Sequence, residues 1–291
     1  MGLKENLGNR FVVTTELGPT DGTDVQTTLN KVREYVYLDG FNIHDCPNAR
    51  MRMNSVALTS IIQRETGIDG IPHFTCRDRS LLGTQADLLG AHALGIRFIL
   101  PTTGDAPNHG PYESSGVYDL NTLKLIRLVK NMNQGLDAND KEFKGPTDFL
   151  VSATASPVAT NMEAVYSRVA KKIEAGADFF QTQPVYDVEK AISFARRMRE
   201  FKVPTILSIM PLKSLKQAEF IRDHVDGIEV PDEIIAKLKG GASGSQIACD
   251  FISQVYREID GIHIMALGDV KSSNTIIDHA KSLTSETVKP L

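Results

Sequence analysis

Short runs of apolar and β-branched residues alternate along the chain with longer stretches whose apolar positions recur at helical spacing. FVVTTEL (11–17) is followed by VQTTLNKVREYVYL (25–38), and GFNIHD by NSVALTSIIQRETG. GIPHFTCR precedes SLLGTQADLLGAHALG, and RFILPTTGD precedes NTLKLIRLVKNMNQG. In the second half DFLVSATAS, DFFQTQPVY, PTILSIMPL and GIHIMAL each lead into a helical pattern, the last around TIIDHAKSL. The short runs are nearly continuously apolar, as parallel strands covered on both faces should be. Gly67, Gly95 and Gly176 stand where three helices should stop, because glycine takes the left-handed conformation that closes a helix.

Eight strands, each followed by a helix without reversal of order, predict an α/β protein: a closed (β/α)8, or TIM, barrel. An open doubly wound sheet is the competing arrangement, but no G-x-G-x-x-G follows the first strand. One such barrel takes roughly 250 residues, so the chain reads as a single domain, 1–291. Residues 231–259 exceed the repeating unit and predict two extra helices before strand eight. Residues 106–120 form a polar loop after strand four, and 136–147 joins helix four to strand five at the opposite face.

Composition narrows the function classes. Apolar residues make up 41% and charged residues 23%, which excludes collagen, coiled coil and wholesale disorder. With 32 Lys+Arg against 36 Asp+Glu, the basic excess of a nucleic-acid-binding domain is missing. Cys46, Cys76 and Cys249 form no C-x-x-C pair, so neither a zinc knuckle nor a disulfide framework is expected, and a reducing cytoplasm suits them. The start MGLKENLGNR has no apolar run of a secretory signal, and Asn6 breaks the myristoylation pattern. No stretch approaches the roughly 20 apolar residues of a membrane span.

In a barrel, chemistry gathers where strands end at the C-terminal face. Those ends carry Glu16, His44, Asp45, His73, Thr75, Arg77, Thr102, Thr103, Gly104 and Asp105. Strands five and six add Ser152, Thr154, Ser156, Gln181, Thr182, Gln183 and Tyr186, whereas strand seven ends apolar at Ile209–Leu212. Paired i,i+4 histidines and a nucleophile elbow are both absent, so no metal site or serine hydrolase is expected. His44, His73 and Asp45 on neighbouring strands form the one arrangement that could ligate an ion. Glu16 lies beside the apolar turn Leu17-Gly18-Pro19, which predicts a raised pKa suited to a general acid; pairing with a lysine at the rim is the structural alternative. Gly104-Asp105 reads either as a close approach to a planar ligand or as a plain turn. Lys171 and Lys172 read as a solvated helix end or as phosphate contacts.

IPHFTCRDRSLLGTQADLLGAHALGIRFILPTTGDAP, EAGADFFQTQPVYD and PTILSIMPLKSLKQA occur in that order, and with them the chain from Phe11 to about Leu267 resembles the methylenetetrahydrofolate reductase family. The likeness is greatest to the short, catalytic-domain-only form. The resemblance implies a barrel that binds a flavin, usually FAD, at the strand ends. It implies hydride transfer from NADH or NADPH to the flavin and on to 5,10-methylenetetrahydrofolate, ping-pong over one flavin face, and homo-oligomers. By position it makes Glu16 the acid that protonates N10 of the bridged folate, and Asp105 the carboxylate beside the flavin. Gln183 falls on a pterin-binding glutamine, and Leu215 replaces an aromatic that stacks on substrate. His73, Thr103, Gly104 and Lys172 fall on flavin-contacting positions, Arg168 is a second phosphate contact, and His44 aligns with the nicotinamide site.

The sequence departs from the family after strand five, where Ser152, Thr154 and Ser156 replace a tyrosine and a histidine; FMN is then an alternative to FAD. Asp269 stands where an arginine often binds substrate. Two other functions remain as alternatives: a flavin-free barrel methyltransferase acting on methyltetrahydrofolate and a corrinoid, and a flavin subunit reduced by a partner protein.

Overall fold

In the computed structural model, residues 2–225 and 227–285 are described. Met1, Asp226 and residues 286–291, which the expected span of 1–291 takes in, lie outside the described residues. Strands β1 (Val12–Leu17), β2 (Gly40–Ile43), β3 (Asp69–Thr75), β4 (Phe98–Thr102), β5 (Leu150–Ala155), β6 (Phe179–Thr182), β7 (Thr205–Ile209) and β8 (Gly261–Ile264) pair in chain order. All pairs are parallel, and β8 returns to β1 with Val12 opposite Gly261 and Thr15 opposite Ile264. The expected closed barrel is the observed one.

Helices α1 (Leu3–Asn6), α2 (Gln26–Arg33), α3 (Ser55–Thr66), α4 (Leu81–Ala93), α5 (Thr122–Asn133) and α6 (Met162–Ala175) accompany the first half. They are followed by α7 (Val188–Glu200), α8 (Leu215–His224), α9 (Asp232–Lys239), α10 (Gly244–Val255) and α11 (Val270–Ser285). Local chemistry sets their ends. Asn54, Ser80, Asn121 and Asn161 accept a first-turn N–H at the starts of α3 to α6, and Asp187, Ser214 and Ser243 do so at α7, α8 and α10. Gly67 (φ 71°) and Gly176 (φ 111°) close α3 and α6 in the left-handed region, as their positions predict. The two extra helices expected in 231–259 are α9 and α10.

Two expectations change. The helix predicted over 25–38 stops at Arg33. Asn274 of α11 takes over its end, accepting the Val36 N–H at 3.1 Å and donating to the Glu34 carbonyl at 2.8 Å. Tyr35-Val36-Tyr37, poor in helix propensity, yields to that tertiary bond. The other change is α1, which the sequence pattern did not foretell. It sets Leu3 in the bottom of the barrel among Val12, Ile71, Phe98, Leu100, Phe179 and Ile206, and its Leu3 N–H donates to Asp69 at 2.6 Å.

Successive inward positions on each strand change character with height. Ile71 gives way to His73 on β3, Leu150 to Ser152 on β5, Phe179 to Gln181 on β6 and Ile206 to Ser208 on β7. Side chains two residues apart share a face, so the barrel has an apolar floor and a polar mouth. That gradient places the site.

Candidate functional site

The mouth holds a cavity of about 390 Å³, within the roughly 300–1,000 Å³ of small-molecule sites. Its base is a buried amide pair. Asn42 on β2 and Gln181 on β6 exchange two hydrogen bonds, each 3.0 Å, across the bore. Ser152 donates to the Gln181 oxygen at 3.1 Å, and the Asn42 amide also faces His73 Nε2 at 3.2 Å. His263 on β8 meets the Thr14 hydroxyl at 2.9 Å and the Gln181 amide at 3.4 Å through Nδ1. Burial drives the pKa of His263 down to about 4 and that of His73 to about 3, with the nearby His44 charge adding to the shift at His73. Both rings are neutral at pH 7.

Glu16 stands in this wall with 8% of its surface exposed, and His44 Nε2 donates to its Oε1. The raised pKa expected for Glu16 is not what this environment produces. Burial alone pushes the carboxyl up, but the charge and hydrogen bond of His44, with smaller contributions from His263 and His73, bring it to about 2. The partner is a histidine rather than the alternative lysine. For His44 the balance runs the other way: burial lowers it, and Glu16 and Asp105 more than compensate, so its pKa is raised.

Glu16, His44 and His73 each offer a donor atom within 4.8 Å of the others, the one such group among the described residues. Those atoms are engaged with one another and with Asn42. Asp45, which the sequence placed with His44 and His73, is not available as a ligand. It accepts from Thr75 N–H and Oγ1 at 2.9 Å and from Arg79 at 2.5 Å, and so braces the mouth.

Of the other residues singled out from sequence, Gly104, Asp105 and Gln183 line the cavity with Glu16, His44 and His73. Gly104 has φ 83°, and an added Cβ would lie 3.1 Å from Cβ of both Thr75 and Arg77. Its glycine is therefore required by the protein itself. Asp105 accepts the Asn48 N–H at 2.6 Å. Thr103 is exposed beside Thr122 and is not part of the lining. Leu215 lies in a separate hollow with Lys213, Ser243 and Asp269.

Lys172 sits just behind the cavity, its Nζ donating to the Thr154 carbonyl at 2.7 Å while Thr154 lines the wall. Burial, with the charge of Arg168, lowers its pKa to about 8. No carboxylate acts on Lys172 among the described residues. Arg168, one turn earlier on α6, is exposed and acts on Lys172 through its charge, and a cation such as Lys172 is donor chemistry for a phosphate. Ser208 Oγ, buried and without a hydrogen-bond partner, faces the same cavity. Lys172 behind Thr154 and the unpartnered Ser208 hydroxyl are donors that a cofactor carrying phosphate would use here.

Sequence reasoning missed Asn42 and Ser208 and left His263 unassigned. The signal was present: each lies two residues from an inward-facing neighbour, namely His44, Ile206 and Met265.

A closed barrel with a polar, histidine-lined mouth defines the class of (β/α)8 proteins that bind small molecules at their strand ends. The family model for methylenetetrahydrofolate reductase matches residues 7–281, and the chain belongs to that family. It is similar to 5,10-methylenetetrahydrofolate reductase from Pectobacterium carotovorum subsp. carotovorum, with 25% identity over 244 residues covering 79% of this chain and 75% of the relative. The Escherichia coli K12 protein of the same name is also 25% identical, covering 79% and 76%. Among solved structures, an uncharacterized Clostridium thermocellum protein that binds two copies of 5-methyl-5,6,7,8-tetrahydrofolic acid shares the fold. Its TM-score is 0.64 at 17% identity, over 98% of this chain and 99% of that one. Dihydropteroate synthase from Xanthomonas albilineans, in complex with 7,8-dihydropteroate, shares it at a TM-score of 0.54 and 13% identity, over 97% and 95%. Among the described residues no helix is long and apolar enough to cross a membrane.

Proposed function

We propose that this chain reduces 5,10-methylenetetrahydrofolate to 5-methyltetrahydrofolate, with a bound flavin, FAD or alternatively FMN, and with NADH or NADPH as the source of hydride. Family membership and the names of its relatives support the reaction, and Lys172 behind the Thr154 wall, with the unpartnered Ser208 hydroxyl, supports a phosphate-bearing cofactor. When bound, the flavin supplies a hydride relay between the two substrates. In this reading Lys172 and Arg168 hold its phosphate, and His73, Gly104 and Asp105, which line the cavity, border its ring.

The chain's own residues prepare the folate. A hydride acceptor must be cationic to react, and the bridged folate becomes one only when N10 is protonated and its bond to the bridge carbon opens. In this reading Glu16 gives that proton, and Gln183 at the rim orients the pterin through its amide. Asp105 and the Glu16 carboxylate left behind both face the new positive charge. The observation that carries this reading is Glu16 itself: a buried carboxylate in the wall of a polar cavity, bonded to an imidazole that bears a proton.

The test is direct. Purified protein should be yellow, bleach anaerobically with NADH or NADPH, and recolour with methylenetetrahydrofolate; mass spectrometry of the heat-released cofactor separates FAD from FMN. Glu16→Gln should still bleach with nicotinamide and should lose at least ~100-fold in folate turnover. A protein that takes up neither flavin, or a Glu16→Gln variant with near wild-type folate turnover, sinks the proposal.

A further inference from the structure

A carboxyl group held near pKa 2 is a poor acid at neutrality. The surroundings of Glu16 supply an answer. Three imidazoles act on it, and two cannot store a proton: His73 and His263 are neutral, committed through their rings to Asn42, Thr14 and Gln181. His44 differs in geometry. It bonds Glu16 directly and faces Asp105 as well, while 28% of its side chain is open to solvent.

We propose that His44 is the proton store of this site: as imidazolium it holds the proton that Glu16 passes to N10 of the bridged folate, a role that rests on the reductive reading above. At rest one proton lies between Nε2 and Oε1, with the positive charge on His44 and the negative charge on Glu16. As the folate docks, the proton moves from Nε2 to Oε1 and on to N10. The bond from the bridge carbon to N10 breaks and its electron pair stays on N10. Positive charge thus leaves the imidazole and appears on the N5 iminium; His44 ends neutral and Glu16 ends as a carboxylate. Solvent returns a proton to His44 at its open edge. The arrangement also removes a cation from beside the iminium at the moment it forms, and leaves a carboxylate there instead.

Four groups face His44 and set its titration: Glu16 from β1, His73 from β3, Asp105 from the turn after β4 and His263 from β8. Asp45, its chain neighbour, is occupied by Arg79. The two carboxylates hold the imidazolium, and the two buried rings, being neutral, do not oppose it.

Two measurements test this. In the first, the ring carbons of His44 are followed by NMR against pH. The unaltered protein should titrate above the ordinary 6.5, and Glu16→Gln should lower that value. A His44 pKa below 6.5, or one that Glu16→Gln does not move, overturns the proposal without reference to activity. In the second, single-turnover folate reduction by reduced enzyme is measured from pH 6 to 9. The wild-type rate should decline above the pKa of His44. His44→Gln should lack that decline and run at least ~10-fold slower at pH 7. An active wild type beside a His44→Gln variant with the same pH profile overturns the proton store alone. A wild type silent toward methylenetetrahydrofolate overturns the reductive reading, and with it the destination of the proton.

Discussion

His263 is held neutral by burial, with a pKa near 4 against 6.5 in an open chain, and this ties folding to acid. Between those values the unfolded chain binds a proton at His263 that the folded protein refuses. The unfolded state then binds more protons, so stability rises with pH and falls as acid is added. The expected slope from this residue is up to ~1.4 kcal/mol per pH unit between about 6.5 and 4. Urea denaturation at stepped pH should show it, and His263→Gln should flatten that part of the profile; an unchanged profile would mean the ring is already solvated or charged. The Glu16–His44 pair behaves oppositely at its two ends. Its lowered carboxyl pKa contributes stability that is present above about 4.5 and lost as pH falls toward 2. The raised His44 contribution is present below 6.5 and lost as pH rises through its folded pKa.

The turns after β2 and β4 are built against each other. Cys46, Asn48 and Ala49 have φ of 46°, 55° and 51°, an uncommon run for residues with side chains. Two contacts hold them there: Asp105 accepts the Asn48 N–H, and Arg77 donates to the Cys46 carbonyl at 3.1 Å. Gly104 makes the second turn possible, since it is left-handed and packs without a Cβ over Thr75 and Arg77. Gly104→Ala should therefore destabilise the protein by about 1–3 kcal/mol, readable as a lower urea midpoint at unchanged slope; a midpoint within error of wild type would show the turn relaxing freely. The sequence marked Gly104 and Asp105 as a pair with either a ligand or a turn to serve. Geometry gives Gly104 the turn, and Asp105 braces the neighbouring loop while its charge acts on His44.

At the scale of the whole molecule, the barrel is a stack with an apolar bottom and a polar top, and the bottom is closed from outside the repeating unit. Leu3 is fully buried there although it lies at the start of the chain. Its N–H bond to Asp69 and its packing on β1, β3, β4, β6 and β7 make α1 part of the core. Leu3→Ala should cost about 2–5 kcal/mol, the range for emptying a buried leucine site, whereas a chain start that merely frays would tolerate it. Thermal unfolding distinguishes these outcomes.

The order of eight strand–helix units, the two added helices and the helix stops were all readable along the chain, because periodicity, capping side chains and left-handed glycines act over a few residues. The height gradient was readable too, in the step from Phe179 to Gln181 or Ile206 to Ser208. What only the closed barrel decided was who meets whom. Register sets Glu16 opposite Asn42, which brings His44, 28 positions from Glu16 in the chain, onto the carboxylate and reverses its expected acidity. The same closure gathers His73 and His263 from distant strands and sends Leu215 to a different hollow. A side chain's charge state depends on neighbours in space, and parallel strands draw those neighbours from across the sequence.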